Sequence, residues 1–505
     1  MNGKVWLVGA GPGDSGLFTL KGKEVLEEAD VVVYDALVGQ GVLTMIPETA
    51  ELIFAGKRSG KHFMKQEDTN RMLLKEAKKG KKVVRLKGGD PFLFGRGGEE
   101  LELLSQNNIP FEIVPGITSA FAVPTYNGIP VTHRDFCSSV HIITGHKREN
   151  HNYDIDFKAL VNTKGTLVFL MGVAALPDIC NGLLEAGMDS DMPAAVLGKG
   201  TTSAQHRIVA TLGTLEDVCS KTEVVTPAII VVGKVCSLAD EFSWYEKKPL
   251  AGIKVAVTRP KELVSSLSKM LRKEGAEVLE IPAIAVKPAE DMSRLHQEIR
   301  ALQEGKYSWI VFTSPSGVRI FMEELFKISD VRALANVKIA SIGKGSEKAL
   351  NGYGLKADFI PSVYDGETLG KELAKICGAG DNILIPRAAI GNPELTKELL
   401  KIEGVSVMDI ATYDTVCESS RVIDERAAME EGDVDLAVFT SASTVKGFAA
   451  SLKGLDFSKV NAVCIGKQTM ETAKQYGMKT WMAENATLSA LVECAEKAAS
   501  ELRSK

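Results

Sequence analysis

With 505 residues, 45% of them hydrophobic and 25% charged, the chain is too long for a single ordinary core, and roughly two to four soluble globular domains are expected. Its net charge of −5 offers no overall pull toward nucleic acid or a membrane, and no apolar run approaches the ~18 residues of a membrane span. Eight scattered cysteines without a Cys-x-x-Cys pair, and seven histidines without close pairing, argue against a disulfide scaffold or a bound metal and for free thiols in the cytoplasm.

The chain enters the strand VWLV (5–8) at once, without a signal pattern. That strand runs into Gly9, Ala10, Gly11, Pro12, Gly13 and Asp14. Gly9 and Gly11 fit the first two positions of a dinucleotide-binding turn, but the third is Asp14, an anion where an anion should bind. Pro12 removes one of the N–H donors such a turn would use, so the loop suits close backbone approach by something other than phosphate. DVVVYD, AELIFAG, KKVVRL, FEIVPG, SVHIITG, GTLVFLM, AAVLGKG and AIIVVGKV follow up to residue 235, alternating with amphipathic helical stretches. This rhythm predicts open α/β sheets, parallel for the most part.

RLKGGDPFLFGRGGEE (85–100) follows a strand, so its glycines stand at a strand's carboxyl end, where such sheets bind ligands. Gly88 and Gly89 allow an approach that a Cβ would block, and Asp90 sets a carboxylate beside bare amides. A ligand with amine or hydroxyl donors, or positive charge, fits there; a tight turn with a helix cap is the alternative. PGITSA (115–120) adds a third loop, with Thr118 and Ser119 at a helix start. Three such loops in one domain point to a shared small-molecule pocket.

SWYEKKPLAG (243–252) breaks the rhythm, which restarts at IKVAVTRP. The expected division is a first domain at 1–243, a linker at 244–250 and a second domain at 251–505. In the latter, WIVFTSPSGVRIF (309–321) is echoed by LAVFTSASTVKGF (436–448), the IGK segments after them are echoed likewise, and VAVTRP (255–260) pairs faintly with ILIPRA (383–388). The near-constant offset marks an internal duplication and predicts two similar α/β lobes with a cleft. Whether each repeat makes one contiguous lobe stays open.

VGAGPGD, VVVYDALV, AGKRSGKH, RLKGGDPFLFGRGGEE, PGITSA and GIPVTHRD, in this order, resemble the uroporphyrinogen-III C-methyltransferase family over residues 1 to about 243. VTRP, FTSPSGV, IGKGSEKAL, YDGETL and YDTV in the second half resemble uroporphyrinogen-III synthase, and fusions of the two are a known arrangement. The resemblance implies an α/β chain with a two-lobed tetrapyrrole methylase fold followed by a two-lobed, internally duplicated synthase fold. It implies S-adenosyl-L-methionine as cofactor, leaving as S-adenosyl-L-homocysteine, and no cofactor for the synthase half. Carried over, the cofactor contacts fall on Pro12, Gly88, Gly89, Asp90, Leu93, Thr118, Ser119, Met171 and Gly200. Asp35 matches the family's proposed proton acceptor and Lys57 its donor; a turn-capping aspartate and a solvated lysine are the bland alternatives, and core packing that for Met171.

The implied substrates are hydroxymethylbilane and uroporphyrinogen III, the latter methylated twice to precorrin-2 for sirohaem or cobalamin. Arg58, Arg96 and Arg134 are expected to pair with carboxylates of the macrocycle. In the second half Tyr413 corresponds to a tyrosine favoured as proton donor. Ser314, Thr440 and Ser441, with Ser346 and Thr469 after the IGK turns, are candidates for substrate hydrogen bonds or plain helix caps. A homodimer through the first domain is the family's usual state. Another precorrin methylase, or a two-lobed ligand-binding sensor fused to a degenerate nucleotide-binding domain, are the competing readings.

Overall fold

Twenty strands gather into four five-stranded sheets in the computed structural model of the chain, which describes residues 3–56, 65–145, 155–258, 264–281, 284–391, 393–417, 421 and 424–504. The first sheet holds β1 (Lys4–Gly9), β2 (Val31–Tyr34), β3 (Glu51–Phe54), β4 (Lys82–Lys87) and β5 (Phe111–Val114) in the order β3-β2-β4-β1-β5. All its pairings are parallel, with Val5 opposite Val83 and Gly9 opposite Lys87. The aliphatic run VVVY makes β2 buried along its length. Helices cover the faces: Gln66–Lys78 buries the stripe Thr69, Leu73, Glu76 and Ala77, with Glu67 and Asp68 at its first turn and Lys75 and Lys78 at its last. From β1 the chain crosses β4 to reach β2; from β4 it crosses β1 to reach β5. With right-handed crossovers those two connections leave on opposite faces, which opens a crevice at the carboxyl ends of β4 and β1.

The second sheet takes β6 (Val140–Thr144), β7 (Thr166–Leu170), β8 (Pro193–Gly198), β9 (His206–Thr211) and β10 (Ala228–Val232) in the order β6-β7-β10-β8-β9. Here the largely parallel expectation meets its main exception: β6 and β7 are parallel, but β7, β10, β8 and β9 alternate in direction. The short link 199–205 between β8 and β9 permits only an antiparallel return. β9 is a strand the apolar runs do not announce, because it is an edge strand with Arg207 among its residues and Val209 exposed.

The remaining strands are β11 (Lys254–Val257), β12 (Glu277–Glu280), β13 (Ile284–Pro288), β14 (Trp309–Phe312), β15 (Lys338–Ser341), β16 (Asn382–Ala388), β17 (Ser406–Cys417), β18 (Leu436–Phe439), β19 (Asn461–Cys464) and β20 (Lys479–Met482). They form two sheets, β12-β11-β18-β19-β20 and β13-β17-β16-β14-β15. The duplicated strands β11 and β16, β14 and β18, and β15 and β19 occupy matching places, so β12-β11-β18-β19 corresponds to β17-β16-β14-β15. Each sheet therefore draws two strands from one repeat and two from the other, and the lobes are exchanged rather than contiguous. Two compact units result: Met1–Ile281 with Ser419–Lys505, and Pro282–Glu418. Within the first, the segment 244–250 is packed rather than free. Tyr245 is buried and donates its hydroxyl to Gly275 O at 3.0 Å, and Trp244 Nε1 donates to Thr125 O at 2.9 Å.

Candidate functional site

The three glycine loops meet. Gly89 N donates to Gly11 O at 2.7 Å and Gly11 N to Gly89 O at 3.2 Å, an isolated antiparallel bridge between the loops after β1 and β4. Both residues have positive φ, +77° at Gly11 and +64° at Gly89. The loop after β5 closes on them: a Cβ on Gly116 would lie 2.1 Å from Gly89 O and 2.7 Å from Gly9 Cα. Among the described residues, nothing lies within 4 Å of where a Cβ on Gly89 would stand. Asp90 is more committed than its sequence suggests. Its Oδ1 accepts from Phe92 N at 2.8 Å and its Oδ2 from Gly116 N at 3.0 Å, so the carboxylate fastens the second loop to the third.

Pro12 lies in the first loop, beside the bridge at Gly11. Thr118 caps the helix Ser119–Tyr126, accepting from Ala120 N at 3.2 Å. Gly200 rests on that helix, where a Cβ would be 2.4 Å from Val123 Cγ1, and Thr201 Oγ1 accepts from Asp14 N at 3.3 Å. Asp14 also accepts from Tyr126 Oη at 2.7 Å; burial, reinforced by that carboxylate, pushes the phenol well above its usual range. Leu93 packs half-buried against the core of the second sheet. Met171 is not core: it follows β7 with 53% of its surface exposed and a φ of +54°.

Asp35 follows β2. Its Oδ1 accepts from Leu37 N at 3.0 Å, capping the turn, and its Oδ2 faces Arg85 Nη2 at 3.4 Å. Arg85 sits in β4 between Leu7 and Val33, deep in the sheet, and its Nε donates to Glu100 Oε1 at 3.2 Å. Lys87 Nζ reaches the same oxygen at 2.8 Å, and desolvation, with Arg85 nearby, lowers its pKa. Arg85, Lys87 and Glu100 all fall within the motif 85–100 but stand apart from the glycines that mark it in the sequence. The signal was there, two cations inside a central apolar strand. Arg96, at the cap of the helix Gly97–Gln106, pairs with Glu99 through Nη2–Oε2 at 2.6 Å and Nε–Oε1 at 2.9 Å, which raises its pKa. Arg134 is exposed. Lys57 and Arg58 lie outside the described residues.

In the unit 282–418, Tyr413 of β17 is buried, and its hydroxyl is 2.7 Å from Ser314 Oγ. Burial pushes its pKa up, against the Ser314 hydrogen bond. Ser314 also caps the helix Pro315–Ile328, accepting from Gly317 N at 2.9 Å. Ser441, in the other unit, caps Ala442–Ser451 in a reciprocal box with Thr444, directly after the half-buried Thr440. Ser346 and Thr469 are buried within their helices. No group of three His, Cys, Asp or Glu among the described residues is arranged to hold a metal.

Residues 4–216 match the family model of tetrapyrrole (corrin/porphyrin) methylases, and residues 265–493 that of uroporphyrinogen-III synthase HemD. A porphyrin biosynthesis protein HemD of Ruminiclostridium josui is 48% identical over 495 residues, 97% of each chain. The uroporphyrinogen-III C-methyltransferase of Bacillus subtilis (strain 168) is 48% identical over 246 residues, 49% of this chain and 96% of that one. A siroheme synthase of Klebsiella pneumoniae is 49% identical over 243 residues, which span 48% of this chain and about half, 52%, of that relative.

Proposed function

Because the chain belongs to the tetrapyrrole methylase family through its first part and to the uroporphyrinogen-III synthase family through its second, we propose that it carries out both reactions in succession. It closes hydroxymethylbilane into uroporphyrinogen III, inverting the last pyrrole with loss of water, and methylates that product twice to precorrin-2, toward sirohaem or cobalamin. The observation that carries this reading is the convergence of the three glycine loops around Gly89 at the crevice of the first sheet. Backbone with open space above it suits a flat, polar guest held close, while Asp14 repels a phosphate. Both features fit S-adenosyl-L-methionine.

When bound, that cofactor supplies a methyl group on a sulfonium and remains as S-adenosyl-L-homocysteine. Pro12, the run Gly88-Gly89-Asp90, Leu93, Thr118, Ser119, Met171 and Gly200 are the residues we assign to holding it. Asp35, at the carboxyl end of β2, accepts the proton that the methylated pyrrole sheds, and Lys57 serves as donor. Arg58, Arg96 and Arg134 pair with substrate carboxylates. For Arg96 this means exchanging Glu99 for the substrate.

In the synthase half the raised pKa of Tyr413 keeps its phenol protonated at neutral pH, the state needed to protonate a departing hydroxyl so that it leaves as water. Ser314 in the unit 282–418, and Thr440 with Ser441 in the other unit, are the hydroxyls we assign to substrate hydrogen bonds, each within its own unit and without metal or organic cofactor. We place the working division at 1–243 and 251–505 with the link 244–250 between them. We take the protein to be a cytoplasmic homodimer through its methylase part. The seven described cysteines are free thiols, as a reducing compartment keeps them, and among the described residues no helix is long and apolar enough to cross a membrane.

Purified protein supplied with porphobilinogen deaminase, its substrate and methyl-labelled S-adenosylmethionine tests both steps. The expected product carries two labelled methyls on the inverted macrocycle. Label confined to the cofactor would overturn the methylase assignment, and accumulation of the uninverted isomer the synthase assignment.

A further inference from the structure

Three charged side chains meet under the turn after β2, and their charges do not balance locally. Arg85 and Lys87 point two cations at one oxygen of Glu100, whose Oε1 also accepts from Gln66 Nε2 at 3.0 Å. Arg85, Lys87 and Glu100 are almost entirely buried, at 6%, 5% and 0% side-chain exposure. Among the described residues, Glu100 Oε2 has no hydrogen-bond partner. A buried cation without its counter-charge is costly, because the interior replaces little of the water it gives up. Two cations against one carboxylate leave the cluster one negative charge short.

The missing anion stands at the site. Asp35 Oδ2 lies 3.4 Å from Arg85 Nη2, with 22% of the side chain still exposed. Arg85 is fixed independently of it, since Nη1 donates to Leu86 O at 3.1 Å and to Val33 O at 3.4 Å while Nε holds Glu100. The Asp35 turn is also fitted to the cofactor loop: a Cβ on Gly88 would lie 2.6 Å from Leu37 Cβ. The guanidinium thus stands on rigid sheet and aims one nitrogen at the carboxylate.

We propose that Arg85, anchored on buried Glu100, is the positioning residue of the methyl-transfer site, holding Asp35 oriented as proton acceptor. The proposal rests on the reading of Asp35 given above. In the step concerned, the pyrrole carbon bonds the methyl as the sulfonium–methyl bond breaks. The ring takes the positive charge; the methylated carbon already carries an acid side chain and holds no hydrogen, so a neighbouring bridge CH2 loses the proton to Asp35, and its C–H electron pair neutralises the ring. The cationic ring is a strong acid, so the orientation of the accepting carboxylate matters more than its basicity.

The test uses the full-length enzyme, with methyl transfer to uroporphyrinogen III followed for kcat and KM and S-adenosylhomocysteine binding followed by calorimetry. Arg85→Gln is expected to lower kcat at least about tenfold while leaving S-adenosylhomocysteine affinity and the KM for uroporphyrinogen III within about twofold. Arg85→Lys keeps the charge but cannot reach both carboxylates and two carbonyls, so kcat should fall about tenfold with KM unmoved. It also serves as the decisive variant if Arg85→Gln does not fold. An Arg85→Gln enzyme that binds S-adenosylhomocysteine normally and keeps parental kcat, or an Arg85→Lys enzyme of parental kcat, overturns the inference. Asp35→Asn separates the two claims: parental kcat there removes the role of Asp35 itself, whereas loss there with intact Arg85 variants removes only the role of Arg85.

Discussion

Gly9, Gly89 and Gly116 touch backbone to backbone, and the packing leaves no room for a methyl at two of them. Gly116→Ala would drive Cβ into Gly89 O, and carbonyl and backbone cannot step aside as a flexible side chain would. It should cost about 1–3 kcal/mol or more and abolish S-adenosylhomocysteine binding, seen as a lower thermal midpoint and absent binding heat. Gly98→Ala is the control. No described residue lies within 4 Å of a Cβ at that site, at the start of the helix Gly97–Gln106, so a gain of about 0.5 kcal/mol is expected from helix propensity alone. The glycines were legible in the sequence because only a close approach needs three such clusters after strands. The destination of Asp90's hydrogen bonds was not, because the amide of Gly116 lies 26 residues away. Nor was the partnership of Arg85 with Asp35, which exists only once β4 lies beside β2.

At the scale of elements, β5 is the edge of the first sheet and is tied there by charge as well as by its ladder to β1. Glu112 pairs with Lys21 and, at 2.7 Å, with Lys4 of β1, and these two ammonium groups hold its carboxyl at about 2, below the ordinary 4.5. A depressed carboxyl pKa stabilises the fold above the unfolded value and loses that effect as pH falls through the folded one. The stability difference between the parent and Glu112→Gln should therefore be steady above about pH 5, shrink between pH 4.5 and 2, and weaken in high salt. A difference equal at pH 7 and at the acid end of that window would refute the pairing. Strands buried on both faces, such as β2, β7 and β10, announce themselves as apolar runs. β9, with one face toward solvent and a single strand neighbour, has too little apolar content to stand out.

For the whole molecule, the duplication was legible from a constant offset, but its exchange between sheets was not. An offset says which strands are alike, not which of them pair. The unit 282–418 has its own cores on both faces of its sheet, and its first and last strands lie side by side, Ile284 opposite Cys417. Expressed alone it should unfold in one cooperative transition with native-like near-ultraviolet circular dichroism, and a featureless melt would count against its independence. The exchange also imposes an order on synthesis. β11 and β12 leave the ribosome early, yet the neighbour that completes β11, with Val255 opposite Leu436, is made only after the whole intervening unit. Until then the nascent chain carries an apolar strand with an open side, a template for pairing with the wrong partner. A message truncated anywhere between those two points would release a methylase part that carries this open seam with it.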